Sequence, residues 1–590
     1  MQKYPTLTPL WHRRLAVALL LPLFFVACSP SFISDRSYRN EVHRDFEIRM
    51  ADFPMLEVRL DTLSRAEREA MEFLYAYMPL SDLADYEPAF FLQQVRYAFM
   101  AKEEMPWGKE VPEDEFRHFV LVYRVNNENL DTARMVFYRA LKDRLKGMTI
   151  EEAALEVNHW CHEHVAYRAS DARTSAPLAT LRTSLGRCGE ESTFTVTAMR
   201  AVGIPARQCY TPRWAHCDDN HAWVEVYVDG EWKFLGACEP DPRLDMGWFS
   251  VPSTRCMMVH SKAFGKYKGD EEVVKRTDLY SELNLLSHYA PTRRVTVIVQ
   301  DADGKPLSGA QVKFKLYNYA EYYTLSTQTA DAEGKASLTT GLGDLLIWAT
   351  DGERYAFEKL DVRQDSTLTL TIHSTFNSQL STLNFEIVPP VAGEPKVVAT
   401  EEETSANARR LAYEDSLRNA YTATFPTKEN YTKLLPYTDD KAWDIIRRSE
   451  GNYAEIAEFI REDFDYDYLC TFSDKDLRDI TADVLAANYD LFTDKNVSYE
   501  VYKKGILPAR ISNEMVRPYR EELSCFKGMT AEEIRQWVID SIVVDDSSNY
   551  FGCPVSPVGV YKLRRADSHS RDIFFVATCR AADVPAYLDN

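Results

Sequence analysis

Two short motifs constrain the fold of this chain more than any other feature. Residues 186–192 read GRCGEES and residues 220–227 read NHAWVEVY. After Cys188 the apolar residues recur at helical spacing until Gly203, whereas from His221 aliphatic residues alternate with polar and aromatic ones, as in a β-strand. The sequence therefore predicts a cysteine that opens a helix and a histidine that opens a strand. These are the two groups that thiol-mediated acyl transfer requires.

The residues beside Cys188 both favour and oppose a reactive thiol. A thiolate attacks a carboxamide carbon, and the N–H groups at a helix N-terminus stabilise that anion and a developing oxyanion. Gly189 leaves room for a substrate, whereas Glu190 and Glu191 add negative charge that raises the thiol pKa. We therefore expect Cys188 to need an imidazolium partner. His221 is the best candidate, because the other face of its strand is aliphatic.

Together the two motifs resemble those of the transglutaminase-like superfamily. Its members combine a Gly-x-Cys-Gly or Gly-x-Cys-Trp helix start, a His-x-Trp-x-Glu-Val strand and an acid on the following strand. The resemblance covers about residues 140–260 and implies a papain-like core with Cys188 as nucleophile and His221 as base. It also implies cleavage or transfer at an amide through an acyl-cysteine intermediate. Hydrolysis is favoured, because bacterial relatives of this type are thought of mainly as peptidases or amidases.

The third catalytic group departs from the family pattern. Asp229-Gly230 predicts a tight type I′ hairpin, which places the usual aspartate position of the returning strand at Gly236. The nearby acids, in our order of preference, are Glu239, Asp241 and then Asp218 or Asp219. Glu239 is preferred because Pro240 ends strand pairing and frees the glutamate side chain to turn toward His221.

Other histidines, cysteines and tryptophans near the motifs could be either site residues or structural residues. The candidates for a metal site are His159, Cys161, His162 and His164, with His216 and Cys217 as added ligands. Cys161 and His164 belong to the apolar stripe of a helix that begins at a capping box at Thr149, and no Cys-x-x-Cys pair is present. We therefore predict no metal and no organic cofactor. Trp214 and Trp223 either line an acyl-substrate groove or belong to the core.

Residues 1–28 have the pattern of a bacterial lipoprotein signal. Arg13 and Arg14 precede an apolar run that is too short for a membrane-spanning helix of ~20 residues. Residues 25–28, FVAC, resemble a lipobox, in which Cys28 is lipid-modified and becomes the mature N-terminus. A plainly cleaved signal peptide is the alternative. We expect an exported protein held to the cell envelope through this lipid only, on a membrane that the sequence does not specify.

The net charge limits the classes of partner that the chain can bind, and the cysteine count limits its disulfide bonds. Asp and Glu number 90 against 69 Lys and Arg, and the net charge of -21 repels phosphate backbones, so we predict no nucleic-acid partner. Of eleven cysteines, nine remain after Cys28 and Cys188, so at least one is unpaired in any disulfide framework. The expected partner is a peptide, protein or other amide of the cell envelope. The oligomeric state stays open.

The length of 590 residues predicts three or four domains at ~150 residues each. After the signal we expect a helical region at 40–140, a transglutaminase-like domain at 141–290, a β-sandwich at 291–375, a linker at 376–440 and a helical region at 441–590. Short alternating runs between Asp-Gly and Glu-Gly turns predict the sandwich. Its segment DADGKPLSGA resembles carboxypeptidase-regulatory-like modules of exported bacterial proteins. The predicted fold class is α+β.

The last region repeats part of the transglutaminase-like domain. Three segments recur: KGMTIEE (146–152) as KGMTAEE (527–533), RAVGIPA (200–206) as RAADVPA (580–586), and more loosely RVNNE (124–128) as RISNE (510–514). A shift of 380 residues places Ser568 at the position of Cys188 and carries His221 beyond Asn590. We therefore expect residues 441–590, called the second copy below, to be inactive and incomplete. This copy and Gly236 motivate the alternative function, a catalytically inactive scaffold or binding protein.

Overall fold

The computed structural model describes residues 31–171, 173–373, 386–435, 439–462, 465–489 and 497–589. The chain divides into two compact units, Met1–Ala76 and Tyr77–Asn590. The predicted signal peptide and Cys28 lie outside the described residues and stay predictions. Within the described ranges, no helix combines the length and apolarity needed to cross a bilayer.

The first unit is organised around one buried carboxylate. Helix α1 spans Arg36–Ala51, and α2, Arg65–Tyr77, begins in this unit. Glu69 accepts hydrogen bonds from the backbone N–H groups of Phe32 and Ile33, at 2.6 and 2.9 Å. Because a buried carboxylate is costly without partners, these bonds fix the segment that leads into α1.

The second unit begins with the helices that lead to the first motif. They are α3 (Leu80–Asp85), α4 (Pro88–Glu104), α5 (Glu113–Phe116), α6 (Ala133–Leu141), α7 (Ile150–His164), α8 (Pro177–Thr183) and α9 (Cys188–Ala201). Helix α7 begins at the predicted capping box, in which Thr149 and Glu152 bond each other's backbone N–H. The ring of Trp160 on α7 stacks on Phe194 of α9, with centroids 5.6 Å apart. This contact packs α7 against the helix that carries Cys188.

Helix α9 packs against strand β4 of a six-stranded antiparallel sheet. The sheet consists of β3 (Ala206–Thr211), β4 (His221–Val228), β5 (Glu231–Leu235), β6 (His260–Phe264), β7 (Glu272–Arg276) and β8 (Tyr280–Asn284), with the short helix α10 (Ser250–Ser253) between β5 and β6. Two shorter strands, β1 (Ala166–Tyr167) and β2 (Leu185–Gly186), precede it in the chain. The sheet order is β5-β4-β3-β6-β8-β7, and β1 and β2 form a separate parallel pair. The predicted hairpin joins β4 and β5, with φ of 52° at Asp229 and 87° at Gly230. Strands β6, β7 and β8 have no counterpart in the sequence-based prediction.

Strand β4 has the predicted alternation, but both of its faces are buried. Val224 and Val226 lie under α9, while Trp223 on the other face is fully buried beside Phe249, with ring centroids 5.0 Å apart. Trp214 is only 2% exposed. Of the two readings left open for Trp214 and Trp223, the structure therefore supports the core.

The β-sandwich consists of two sheets that enclose one apolar core. Its strands are β9 (Thr292–Asp301), β10 (Gln311–Asn318), β11 (Glu321–Thr329), β12 (Lys335–Gly341), β13 (Asp344–Thr350), β14 (Tyr355–Asp361) and β15 (Thr367–Ile372). The sheets have the orders β11-β10-β13-β14 and β12-β9-β15. Alternate residues of facing strands, such as Val297, Val312 and Ile347, are fully buried. This is the period-two pattern that predicted the sandwich.

The remaining described chain is mainly helical. Helix α11 (Glu401–Thr422) precedes α12 (Asp440–Ser449), α13 (Tyr453–Glu462), α14 (Tyr466–Leu469), α15 (Asp474–Leu477), α16 (Ala482–Asn488), α17 (Tyr499–Gly505), α18 (Ala531–Ser541), α19 (Pro557–Leu563) and α20 (Ser568–Ala581). Two short strands, β16 (Val543–Val544) and β17 (Arg565–Ala566), pair in parallel. Helices, an antiparallel sheet and a sandwich together confirm the predicted α+β class.

Candidate active site

Cys188 opens α9 at a tight junction between strand and helix. The preceding strand β2 pairs with β1, and Tyr167 lies opposite Gly186. A Cβ atom at Gly186 would lie 2.8 Å from Glu190 Cβ, so the approach requires glycine. Glu190 Oε2 accepts a hydrogen bond from the Arg187 backbone N–H at 3.0 Å. These contacts hold the half-buried Cys188 at the helix start that the sequence predicts.

The surroundings of the Cys188 thiol favour its protonated form. Burial raises the pKa of Cys188 above its ordinary value, and the nearby charges of Glu191 and Glu190 act in the same direction. The backbone N–H of Ala222 donates to Sγ and opposes this rise, as does the Arg187 guanidinium. The bond from Ala222 also brings the thiol beside the first residues of β4.

His221 begins β4 within a cage of aromatic rings. It pairs with Thr211 of β3 and is 8% exposed. Four rings surround the imidazole, at centroid distances of 4.7 Å for Trp248, 5.0 Å for Phe249, 5.7 Å for Trp223 and 6.2 Å for Trp214. Such a site offers the imidazole little polar solvation.

The imidazole is therefore neutral in the resting structure. Desolvation lowers the pKa of His221 to about 4. The aromatic cage disfavours the imidazolium partner that the sequence predicts for Cys188. His221 Nε2 is buried and has no hydrogen-bond partner among the described residues, and none of the described hydrogen bonds joins the ring to Cys188. A buried nitrogen without a partner is uncommon in folded proteins and marks this site.

Glu239 lies in the same cleft and binds an indole. Its Oε2 accepts a hydrogen bond from Trp248 Nε1–H at 2.9 Å. The Trp248 ring in turn contacts His221 at an interplanar angle of 56°. Glu239 and His221, both within the described ranges, share no hydrogen bond. Burial raises the pKa of Glu239. The structure thus connects the preferred acid to the histidine through Trp248.

A tight turn carries Glu239 to this position. The Asn158 side chain on α7 donates to the Gly236 carbonyl at 2.8 Å and accepts from the Cys238 backbone N–H at 3.0 Å. Cys238 has a φ of 56°, and Gly236 bridges back to Glu239. The position expected for the usual aspartate is therefore the first residue of a turn.

The other acids considered for the third group occupy different environments. Burial raises the pKa of Asp241. Asp218 accepts a hydrogen bond from the Tyr319 backbone N–H at 2.7 Å, so the sandwich hairpin engages it. Asp219 lines the cleft that contains Cys188. Among the described contacts, none of the three acids is hydrogen-bonded to His221.

Glu191 is a buried acid that the sequence reasoning treated only as a charge. It is 3% exposed, lines the cleft, and its Oε1 has no hydrogen-bond partner in the described part of the chain. Burial, together with the nearby Cys238 and Glu239, raises the pKa of Glu191 well above its ordinary value. The site therefore holds a buried carboxyl group, one helical turn beyond Cys188, whose surroundings disfavour its charged form.

Cys188 and His221 line one cleft of about 880 Å³. Further side chains of the cleft wall are Asn126, Tyr167, Gln208, Tyr210, Trp248 and Lys262. Tyr319 comes from the sandwich and Phe551 from the second copy, so three regions of the second unit form this wall. Neither Trp248 nor Phe551 was predictable as a site residue from the local sequence, because long-range packing alone brings them to the motifs.

Two of the histidines considered as metal ligands, His159 and His162, have a carboxylate partner. His159 Nδ1 and His162 Nδ1 each lie 2.9 Å from a carboxylate oxygen of Glu414 on α11. Within the described ranges, no three His, Cys, Asp or Glu side chains are grouped so as to hold a metal ion. All ten described cysteines are free thiols.

The helix start, the strand start and the shared cleft define a scaffold of the cysteine-enzyme type. Residues 139–237 match the family model of the transglutaminase-like superfamily. This segment, which contains Cys188 and His221, is a transglutaminase-like domain, and the resemblance is confirmed for it.

Two solved structures show partial similarity. A candidate cysteine protease of Cytophaga hutchinsonii is 22% identical, with a TM-score of 0.15 over 20% of this chain and 46% of that chain. Red sea bream transglutaminase is 9% identical, with a TM-score of 0.18 over 53% of this chain and 60% of its own. The chain thus spans less than two thirds of either structure. No curated protein matches it.

Proposed function

We propose that this protein is a cysteine enzyme that cleaves or transfers at a peptide or other amide bond through an acyl-cysteine, with hydrolysis favoured. One observation carries the proposal. Cys188 at the start of α9 and His221 at the start of β4 line the same cleft, and the Ala222 N–H donates to Cys188 Sγ. The motif match at residues 139–237 supports it.

The reaction follows from the resting protonation states. Neutral His221 takes the Cys188 S–H proton as the sulfur bonds to the amide carbon, so the imidazolium forms only during the attack. The first N–H groups of α9 lack intrahelical acceptors and bind the oxyanion, with ~3 kcal/mol per donor in other acyl-transfer enzymes. Collapse breaks the C–N bond, and the imidazolium protonates the leaving amine. Water then adds to the thioester, losing a proton to His221, and the released thiolate is reprotonated.

In this proposal Glu239 acts through Trp248. The carboxylate holds the indole N–H, and the indole ring packs against the imidazole. Glu239 thereby sets the position of one wall of the aromatic cage. Direct hydrogen bonding between Glu239 and His221 would require the Trp248 side chain to move aside.

An inactive scaffold is the second candidate. It is favoured by the raised pKa of Cys188, the lowered pKa of His221, and the lack of a hydrogen bond on His221 Nε2 within the described residues. A thiol in such surroundings is less reactive unless the imidazole takes its proton. The two candidates therefore differ in the rate at which Cys188 reacts.

Alkylation by iodoacetamide, quantified for each cysteine by peptide mass spectrometry, distinguishes them. The exposed Cys470 and Cys525 are internal reference thiols in the same chain. If the protein is an enzyme, Cys188 should react about tenfold faster than Cys470 at pH 7, or faster still, and His221→Ala should remove the difference. A surface change, His569→Ala, is the matched control and leaves the rate unchanged. If Cys188 reacts no faster than the reference thiols and is insensitive to His221→Ala, the protein is a scaffold.

A further inference from the structure

A lysine of the second copy is buried against the start of the cysteine helix. Lys475 lies on α15, and its side chain is 7% exposed. Its Nζ donates to Glu190 Oε1 at 2.7 Å and to the Asp171 carbonyl at 3.2 Å, and it also donates to the Arg173 carbonyl. A second ion pair, to Asp171 Oδ1, measures 3.0 Å. One ammonium group therefore satisfies four oxygens of the transglutaminase-like domain.

Glu190 connects this lysine to the nucleophile. It lies in the first turn of α9, and its side-chain carboxylate is 2% exposed. Oε2 accepts from the Arg187 backbone N–H, and Oε1 accepts from the Ser175 backbone N–H at 3.2 Å as well as from Lys475. The charge of Glu190 raises the pKa of Cys188. A neighbouring cation reduces that effect.

The residue after Lys475 adds a further ionic contact between the copies. Asp476, the next residue, is buried and lies 2.9 Å from Arg173, and it also pairs with Arg510 of its own copy. Burial of charges is unfavourable unless each has a partner. Lys475 and Asp476 therefore form ion pairs with the transglutaminase-like domain, and removing Lys475 would leave the buried Glu190 with Arg187, at 3.6 Å, as its remaining cationic partner.

We propose that Lys475 is a positioning residue for Cys188, supplied by the second copy, which neutralises Glu190 and holds the start of α9. The copy that lacks the nucleophile thus completes the electrostatic surroundings of the copy that has it. The inference rests on the proposed function in assigning this role to catalysis. The thiol titration that tests it needs no substrate, so failure of the two proposals can be told apart.

The experiment measures the pH dependence of Cys188 alkylation in the full chain. Lys475→Met should raise the pH midpoint of alkylation by about one unit, because Glu190 then keeps only Arg187, whose Nε is 3.6 Å from Oε2, as a cationic partner near the thiol. Lys475→Arg should restore the midpoint. The double variant Glu190→Gln/Lys475→Met should also restore it, because both charges are gone. Lys441→Met, at an exposed lysine of the same copy that pairs with Asp467, is the matched control.

Each outcome bears on the proposal. A midpoint that is unchanged in folded Lys475→Met overturns it. A raised midpoint that the double variant does not reverse also overturns it, because the lysine would then act through packing and not through the charge of Glu190. If Lys475→Met does not fold, Glu190→Gln and the double variant decide: the midpoint of the double variant should lie above that of Glu190→Gln, because only the single variant keeps the Lys475 charge near the thiol, and equal midpoints overturn the proposal. A wild-type Cys188 that reacts like Cys470 rejects the proposed enzyme, while the shift in Lys475→Met remains measurable.

Discussion

The transglutaminase-like domain and the second copy share several local features. Helix α7 and helix α18 both begin at a Thr–Glu capping box, and both copies contain a parallel pair of two-residue strands. Arg200 donates to the carbonyls of Ala206, Val122 and Arg124, and Arg580 donates to those of Ala586, Pro508 and Arg510. The second copy keeps this frame with Ser568 in place of Cys188, so the frame does not depend on the cysteine.

The two copies differ at the start of the helix that would carry the chemistry. In the second copy Asp567 accepts from the Ser570 N–H at 3.0 Å, and Asp546 accepts from the Ser568 N–H at 2.7 Å. In the first copy the cap residue is Arg187, whose side chain accepts no bond from the first N–H groups of α9 within the described structure, while Glu190 accepts from the Arg187 N–H at 3.0 Å. A side-chain cap stabilises a helix by about 1 kcal/mol. The first copy thus lacks an acceptor on its cap residue, which leaves N–H groups that can bind an oxyanion.

Exchanging the residues at the two helix starts gives the largest expected effect. Cys188→Ser gives the first copy the residue of the second. Release of p-nitrophenol from p-nitrophenyl acetate should fall about 10³-fold or more, because a serine hydroxyl is far less nucleophilic than a cysteine sulfur beside the same imidazole. Cys470→Ser is the control and should not change the rate.

The reverse exchange tests whether the helix start itself matters. Ser568→Cys places a thiol at the capped end of α20, where Asp546 and Asp567 surround it. Its alkylation by iodoacetamide should be no faster than that of Cys470. A fast thiol at position 568, or an active Cys188→Ser protein, would show that the difference between the helix starts is irrelevant to the chemistry.

The next prediction concerns stability at acidic pH, which the buried His221 lowers in the first copy. Its pKa is lowered to about 4, against about 6.5 in an unfolded chain. Between these values the unfolded state binds more protons, so stability falls as the pH falls through this window and is complete above it. Between pH 7 and 4.5 the loss due to His221 is about 2–3 kcal/mol. The unfolding free energy of His221→Gln should therefore fall by about 2–3 kcal/mol less than that of the wild type between pH 7 and 4.5. Urea titrations followed by tryptophan fluorescence measure this difference.

The exposed His569 of α20 gives the matched control for this titration. His569→Gln should leave the pH dependence of the unfolding free energy unchanged. Equal pH dependence in wild type and His221→Gln would mean that the aromatic cage opens to water in solution. The contrast between a buried histidine in one copy and an exposed one in the other would then disappear.

Local sequence signals predicted the frame of the site better than its walls. The capping box at Thr149, the helix start at Cys188 and the hairpin at Asp229 depend on neighbouring residues, and all three are present in the structure. Trp248 and Lys475 reach the site through packing between distant segments, which carries no periodic signal. The lowered pKa of His221 could not be predicted from the motifs, because it depends on rings from several elements.

Strand β4 shows a second limit of pattern reading. Alternation of aliphatic with polar or aromatic residues usually marks a strand with one buried face. Here Glu225, on the second face, is 1% exposed and pairs with Arg207 at 2.7 Å. The buried face of β4 that carries Glu225 thus contains a paired charge and aromatic rings instead of aliphatic residues. The sequence of this fully buried strand therefore has the same alternation as that of a half-buried strand.

The smallest predicted effect comes from removing the side-chain acceptor of the cap residue Asp567, for which the first copy has no equivalent. Asp567→Ala removes the acceptor for the Ser570 N–H, at an expected cost of about 1 kcal/mol to α20. Amide hydrogen exchange in the first turns of α20 should become about fivefold faster, because the cost falls on local opening of that helix. Asp572→Ala changes an acid on the same helix that is 47% exposed and pairs with Arg571, so exchange should stay nearly constant. Equal effects of the two substitutions would show that Asp567 contributes only charge, and the start of α9, whose cap residue has no such acceptor, would then forgo no stability relative to α20.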